Sequence, residues 1–162
     1  MNKERKEIPT NATVFFDRDV AAEELNLLFG DNDFQRDIII TGNLHLGNVD
    51  LFLKCNNLYV MGEITVNKNT ITEIEGNLWV EGSIDCFDLR VNGSVYCYGD
   101  VLSMGIEVSE DFFVNEIVDA YDANIYVGGD FICNDEITAD EIVVLKKLEV
   151  KGNIQAYKIK VG

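Results

Sequence analysis

Apolar residues recur along most of the chain in pairs set two positions apart. From Leu78 onward the pairs run Leu78/Val80, Ile84/Cys86, Leu89/Val91, Val95/Cys97, Val101/Ser103, Ile106/Val108, Phe112/Val114, Ile117/Asp119, Ile125/Val127, Phe131/Cys133, Ile137/Ala139, Ile142/Val144, Leu148/Val150, Ile154/Ala156 and Ile159/Val161. A spacing of two puts both side chains on one face of a β-strand. Successive pairs start 6, 5 and 6 residues apart, so one cycle is 17 residues and three short strands. Between pairs a small or polar phrase recurs, as in Gly42-Asn43-Leu44, Gly62-Glu63-Ile64, Gly82-Ser83-Ile84, Gly99-Asp100-Val101 and Gly152-Asn153-Ile154. Glycine at such a place lets the chain turn a corner.

A strand with two inward residues cannot bury itself, but stacked coils bury one another, about 4.8 Å apart. The pattern predicts three inward ladders. The first is Val60, Val80, Cys97, Val114, Cys133, Val150. The second is Ile64, Ile84, Val101, Ile117, Ile137, Ile154. The third is Leu89, Ile106, Ile125, Ile142, Ile159. The expected fold is all-β: a single-domain parallel β-helix of about seven coils, roughly 34 Å long at that spacing. It spans residues 38–162, behind an N-terminal segment, 1–37. Two irregularities interrupt the period, one between Val66 and Leu78 and one from Asp119 to Asn124. A bare buried carboxylate is costly, so Asp119 is expected to swing outward where the extra residues bulge.

Within the N-terminal segment, Asp19 precedes Val20-Ala21-Ala22-Glu23-Glu24-Leu25-Asn26-Leu27-Leu28-Phe29, and Gly30 follows. These are helix boundary signals. They predict a short amphipathic helix, with Ala21, Leu25 and Leu28 on one face, capping the first coil. The last residues, Ile159-Lys160-Val161-Gly162, follow a strand pair directly and predict an open end.

The phrases Gly76-Asn77-Leu78-Trp79-Val80-Glu81-Gly82-Ser83-Ile84 and Val91-Asn92-Gly93-Ser94-Val95-Tyr96-Cys97-Tyr98-Gly99-Asp100-Val101 resemble the repeats of bactofilin-like, polymer-forming cytoskeletal proteins. The resemblance covers roughly residues 38–162. It implies a right-handed coil and a protein that polymerises without nucleotide. The chain departs from that pattern in its capping helix, its acidity and its aromatics. Left-handed hexapeptide-repeat acyltransferases keep a stricter period of six, which the recurring five here breaks.

Composition narrows the function. The net charge is −16, with 29 acidic and 13 basic side chains in 162 residues. Nucleic acid and anionic membrane both need a basic footprint, so neither is an expected partner. No Lys or Arg falls between Arg90 and Lys146. Glu107, Glu110, Asp111, Asp122, Asp135, Glu136, Asp140 and Glu141 lie within that stretch as a candidate acidic flank for a basic partner. The charged N-terminus lacks the apolar core of a signal peptide, which reads as cytoplasmic. Cys55, Cys86, Cys97 and Cys133 have no C-x-x-C spacing, and all but Cys55 fall on inward positions.

Catalytic signals are sparse. The single histidine, His45, is flanked by Leu44 and Leu46 and points outward on the first strand of its coil, with no partner or pocket assigned. No calcium loop, phosphate-binding loop or nucleophile elbow occurs, so no cofactor and no metal are expected. The strongest surface signal is the outward position on the first strand of each coil: Tyr59, Trp79, Tyr96, Phe113 and Ile132, with Tyr98 beside them. Monomers rarely show a contiguous patch of that kind, and aromatics anchor interfaces. It can be covered by Val14-Phe15-Phe16 of the chain itself, by a protein, or by carbohydrate. Three functions follow: a self-associating scaffold forming a small homo-oligomer, most simply a dimer; an acidic inhibitor- or immunity-type module masking a basic partner; and, with least support, an enzyme.

Overall fold

In the computed structural model, which describes residues 13–30, 36–66 and 69–162, the strands form one continuous parallel β-solenoid of about seven coils. Among the described residues every strand pairing is parallel and joins one coil to the next. The coil is three-sided. The first side stacks Ile38–Ile40, Leu58–Val60, Leu78–Val80, Val95–Cys97, Phe112–Val114, Phe131–Cys133 and Leu148–Val150 in register. Its inward ladder, Val60 to Val150, is the predicted one.

The second ladder differs at one rung. Val101 stacks on Val118, not Ile117, and Val118 then meets Ile137. The corner from first to second side has a fixed length: Val80 to Ile84, Cys97 to Val101, Val114 to Val118. Counting to Ile117 stops one residue short. The inward pair is therefore Val118/Ala120, both fully buried. Asp119 lies between them on the outer face, half-buried, with its Oδ1 shielded from solvent and without a hydrogen-bond partner. The bulge comes after it, between Ala120 and Asn124, with Asp122 at φ 51°.

The third ladder runs as predicted from Leu89 to Ile159 and continues toward the N-terminus through Thr72 and Leu51. The apparent long turn after Val66 thus contains a third side, Thr72/Ile74, with only a short connection before it. The early coils are longer, 20 residues from Asn57 to Asn77 against 17 from Asn77 to Ser94. Cys55 is buried with the other three cysteines.

Corners explain the glycines. Gly62 N donates to Gly42 O at 3.0 Å and Gly82 N to Gly62 O at 2.9 Å, so these turns lie directly on one another. A Cβ on Gly62 or Gly82 would sit 2.7 Å from the carbonyl oxygen beneath. Side chains complete the corners. Asp19, Asn43, Ser83 and Asp100 accept from the backbone N–H of Asn43, Glu63, Asp100 and Ile117, one coil on. Asn77, Ser94 and Asp111 do the same for Ser94, Asp111 and Asp130.

The helix is α1, Ala22–Phe29. It starts later than predicted because Val20–Ala21 forms a strand on Leu44–His45. Asp19 does not cap it; its carboxylate serves Asn43 and His45 instead. The buried face is Ala22, Leu25 and Phe29, one step round from the predicted one, while Leu28 is exposed. Gly30 stays right-handed at φ −58°. The helix takes the place of a third side in the first coil and packs against Leu51–Val60. No helix among the described residues is long and apolar enough to cross a membrane.

Candidate interaction surface

Alternation on the first side sends the middle residue of each three-residue strand outward, and parallel in-register pairing stacks those residues. The resulting outer ladder is Phe15, Ile39, Tyr59, Trp79, Tyr96, Phe113, Ile132 and Glu149. Five of the six residues singled out from the sequence are consecutive rungs. The sixth, Tyr98, stands at the following corner, 43% exposed, with its ring edge-on to Phe113 at 6.1 Å and 62°. Val14-Phe15-Phe16 does not cover the stripe. It pairs edge to edge with Ile38–Ile40, so Phe15, 60% exposed, is one more rung. Phe15 and Ile39 were missed because their coil is longer than the repeat and has no glycine phrase before it.

The rings contact one another. Trp79 and Tyr96 stack at 4.0 Å and 17°, and Tyr59 lies 6.0 Å from Trp79 at 25°. Toward the later coils the stack opens into a groove of about 360 Å³ lined by Trp79, Tyr96, Tyr98, Phe113, Asp111 and Asp130. The two aspartates enter from the corner between third and first sides. Asp111 Oδ1 accepts from Asp130 N at 2.9 Å.

The acidic flank is not one face. Glu107 lines a third-side groove with Glu73, Glu75 and Arg90. Glu110 accepts from Ser94 Oγ at 3.3 Å, beside Asp111. Asp135 and Glu136 are exposed at the corner between first and second sides. Asp122 and Asp140 line a groove at the opposite corner with Tyr121 and Tyr157. Glu141 accepts from Lys158 Nζ at 2.6 Å. The coil thus spreads these carboxylates around its perimeter, and it brings only Asp111 into the aromatic groove.

His45 points outward as predicted, but on the second side, and it has partners. Its Nδ1 lies 2.8 Å from Thr65 Oγ1 and its Nε2 lies 3.2 Å from Asp19 Oδ2. Asp19 is held below the usual carboxylate range, first by the Asn43 N–H and then by His45. These side chains form a hydrogen-bonded ladder on the outer face of the sheet, with His45 and Asp19 exposed. Burial pushes Cys55, Cys86 and Cys97 up to about 12 and raises Cys133 as well, which keeps all four as thiols near neutral pH. Comparison with family models, curated proteins and solved structures finds no match to this chain.

Proposed function

We propose that this chain is a non-enzymatic, bactofilin-like scaffold that acts through the surface of its coil and self-associates through the aromatic first side. The observation that carries this reading is the unbroken outer ladder from Phe15 to Ile132. Seven rungs at about 4.8 Å give a half-exposed apolar strip roughly 29 Å long, the kind of contiguous patch that marks an interaction surface. An isologous dimer covers two such strips at once. Analytical ultracentrifugation tests this: wild type runs as a small oligomer, most simply a dimer, and Trp79→Ala, Tyr96→Ala runs as a monomer. A wild type that stays monomeric at high concentration, or a variant that keeps the oligomer, removes the proposal.

A second reading, an acidic module that masks a basic partner, is favoured by the net charge of −16 and by Asp111 and Asp130 at the mouth of the aromatic groove. Salt separates the two. Screening relieves repulsion between like-charged copies and so strengthens self-association, but it weakens attraction to a basic partner.

A further inference from the structure

We propose that the groove at the later end of the first side is a seat for an arginine side chain carried on a basic partner protein. The inference rests on the second reading above and names the chemistry by which such a partner would be held. Three observations converge on it. The groove is lined by four aromatic rings, the stacked pair Trp79 and Tyr96 together with Tyr98 and Phe113, which meet edge-on. A planar guanidinium stacks on such rings, and it does so better than a strongly hydrated ammonium.

The second observation is the pair of carboxylates. Asp111 and Asp130 occupy equivalent corners of consecutive coils, one rung apart, and both line the groove. A guanidinium offers donors in a fixed fork and can engage carboxylates carried on adjacent rungs, about 4.8 Å apart along the coil. The third is that the lysine of the next coil is committed elsewhere. Lys147 feels the charge of Asp130, but its Nζ is bound at 2.6 Å by Glu149, the stronger of the two influences on it. Two carboxylates beside apolar rings, in a chain of net charge −16, give a basic partner a complementary place to dock.

The chain has one tryptophan, and it lines the groove, so its emission reports occupancy directly. Wild-type protein is titrated with a short peptide alternating arginine and glycine, and with the same peptide carrying citrulline, the neutral isostere of arginine. The arginine peptide is expected to change Trp79 emission saturably, and the citrulline peptide is not. Asp111→Asn, Asp130→Asn should weaken the arginine peptide about tenfold. Asp135→Asn, Glu136→Gln removes equal charge at another corner and should leave it within about twofold. Asp130→Asn alone, which spares the corner contact of Asp111, should also weaken it, and thermal melts verify that each variant is folded.

Equal weakening by the two double variants overturns the seat but leaves the basic-partner reading standing. So does full affinity in Asp111→Asn, Asp130→Asn. Equal binding of the citrulline peptide overturns the seat in favour of plain apolar docking. Saturable binding of a neutral oligosaccharide in place of the arginine peptide does the same in favour of carbohydrate. If no peptide changes the emission, while raising protein concentration alone does, both the seat and the basic-partner reading fall and a second copy occupies the groove.

Discussion

Replacing Thr72 by valine is expected to stabilise the protein by about 1–2 kcal/mol. Thr72 is fully buried and sits in the third ladder between Leu51 and Leu89, and its Oγ1 has no hydrogen-bond partner. An unsatisfied buried hydroxyl costs about 1–3 kcal/mol. A methyl in its place gains roughly 0.8 kcal/mol of burial. Both residues are β-branched, so strand preference and side-chain entropy hardly change. Against this, the methyl is bulkier than the hydroxyl, and tight packing takes back about 1–2 kcal/mol, which leaves about 1–2 kcal/mol at the middle of these ranges. For a chain of this length the net gain corresponds to roughly 2–8 °C in melting temperature. Urea melts followed by circular dichroism measure it, compared at equal slope so that a shift in midpoint is a shift in stability. Thr138→Val, half-buried on the outer face of the second side, is the control and should move less than about 0.5 kcal/mol. A Thr72→Val variant that is less stable than wild type would show that the hydroxyl is satisfied and that the reasoning is wrong.

Other outcomes follow from the same fold. Ile137→Ala, which empties a rung between Val118 and Ile154, should cost about 2–5 kcal/mol, whereas Thr138→Ala should cost less than about 1 kcal/mol; urea melts that find equal costs would reverse the inward register. The four thiols should resist alkylation at neutral pH in the folded chain and react only as it unfolds, as mass spectrometry after timed iodoacetamide quenching can show. Asp19 is depressed when folded, so its contribution is present above the ordinary aspartate value near 4 and is lost as pH falls through its lower folded value. The protection factor of the Asn43 amide, measured against its intrinsic exchange rate, should therefore fall at acid pH, and Asp19→Asn should abolish that dependence.

The coil was legible because its signal is redundant: the same two-residue spacing and the same four-residue corner return many times. Reading failed where redundancy thinned. Ile117 and Val118 are both apolar neighbours, so only the constant corner length chooses between them, and a pattern of pairs does not carry it. The third side at Thr72/Ile74 was hidden by a polar residue in a core position, which periodicity alone discounts. The helix boundary slipped because Asp19 looked like a cap, when its carboxylate is drawn away by the next coil and Val20 is drawn into the sheet. The aromatic stripe could be listed from the sequence because it inherits the coil register. The groove could not, since Asp111 and Asp130 reach it from a corner whose direction only the three-dimensional path defines. The acidic flank shows the reverse error: residues close in sequence are carried to separate corners by the winding of the chain.

The corner bonds give the molecule a direction in time. Asp19, Asn43, Asn77, Ser83, Ser94, Asp100 and Asp111 each reach forward to an amide that is made later in synthesis. Asn26 of α1 likewise accepts from Phe52 N, and Asp50 from Ile71 N. A coil leaving the ribosome thus finds the acceptors for its turns already in place on the coil before it, and it brings with it the acceptors for the next. Closing each loop then means adding one short length of chain to an existing surface, where the entropic cost is low despite contacts that are distant in sequence. The arrangement suits growth in the order of translation, with the helix and first coil as the seed and every completed coil as the template for its successor.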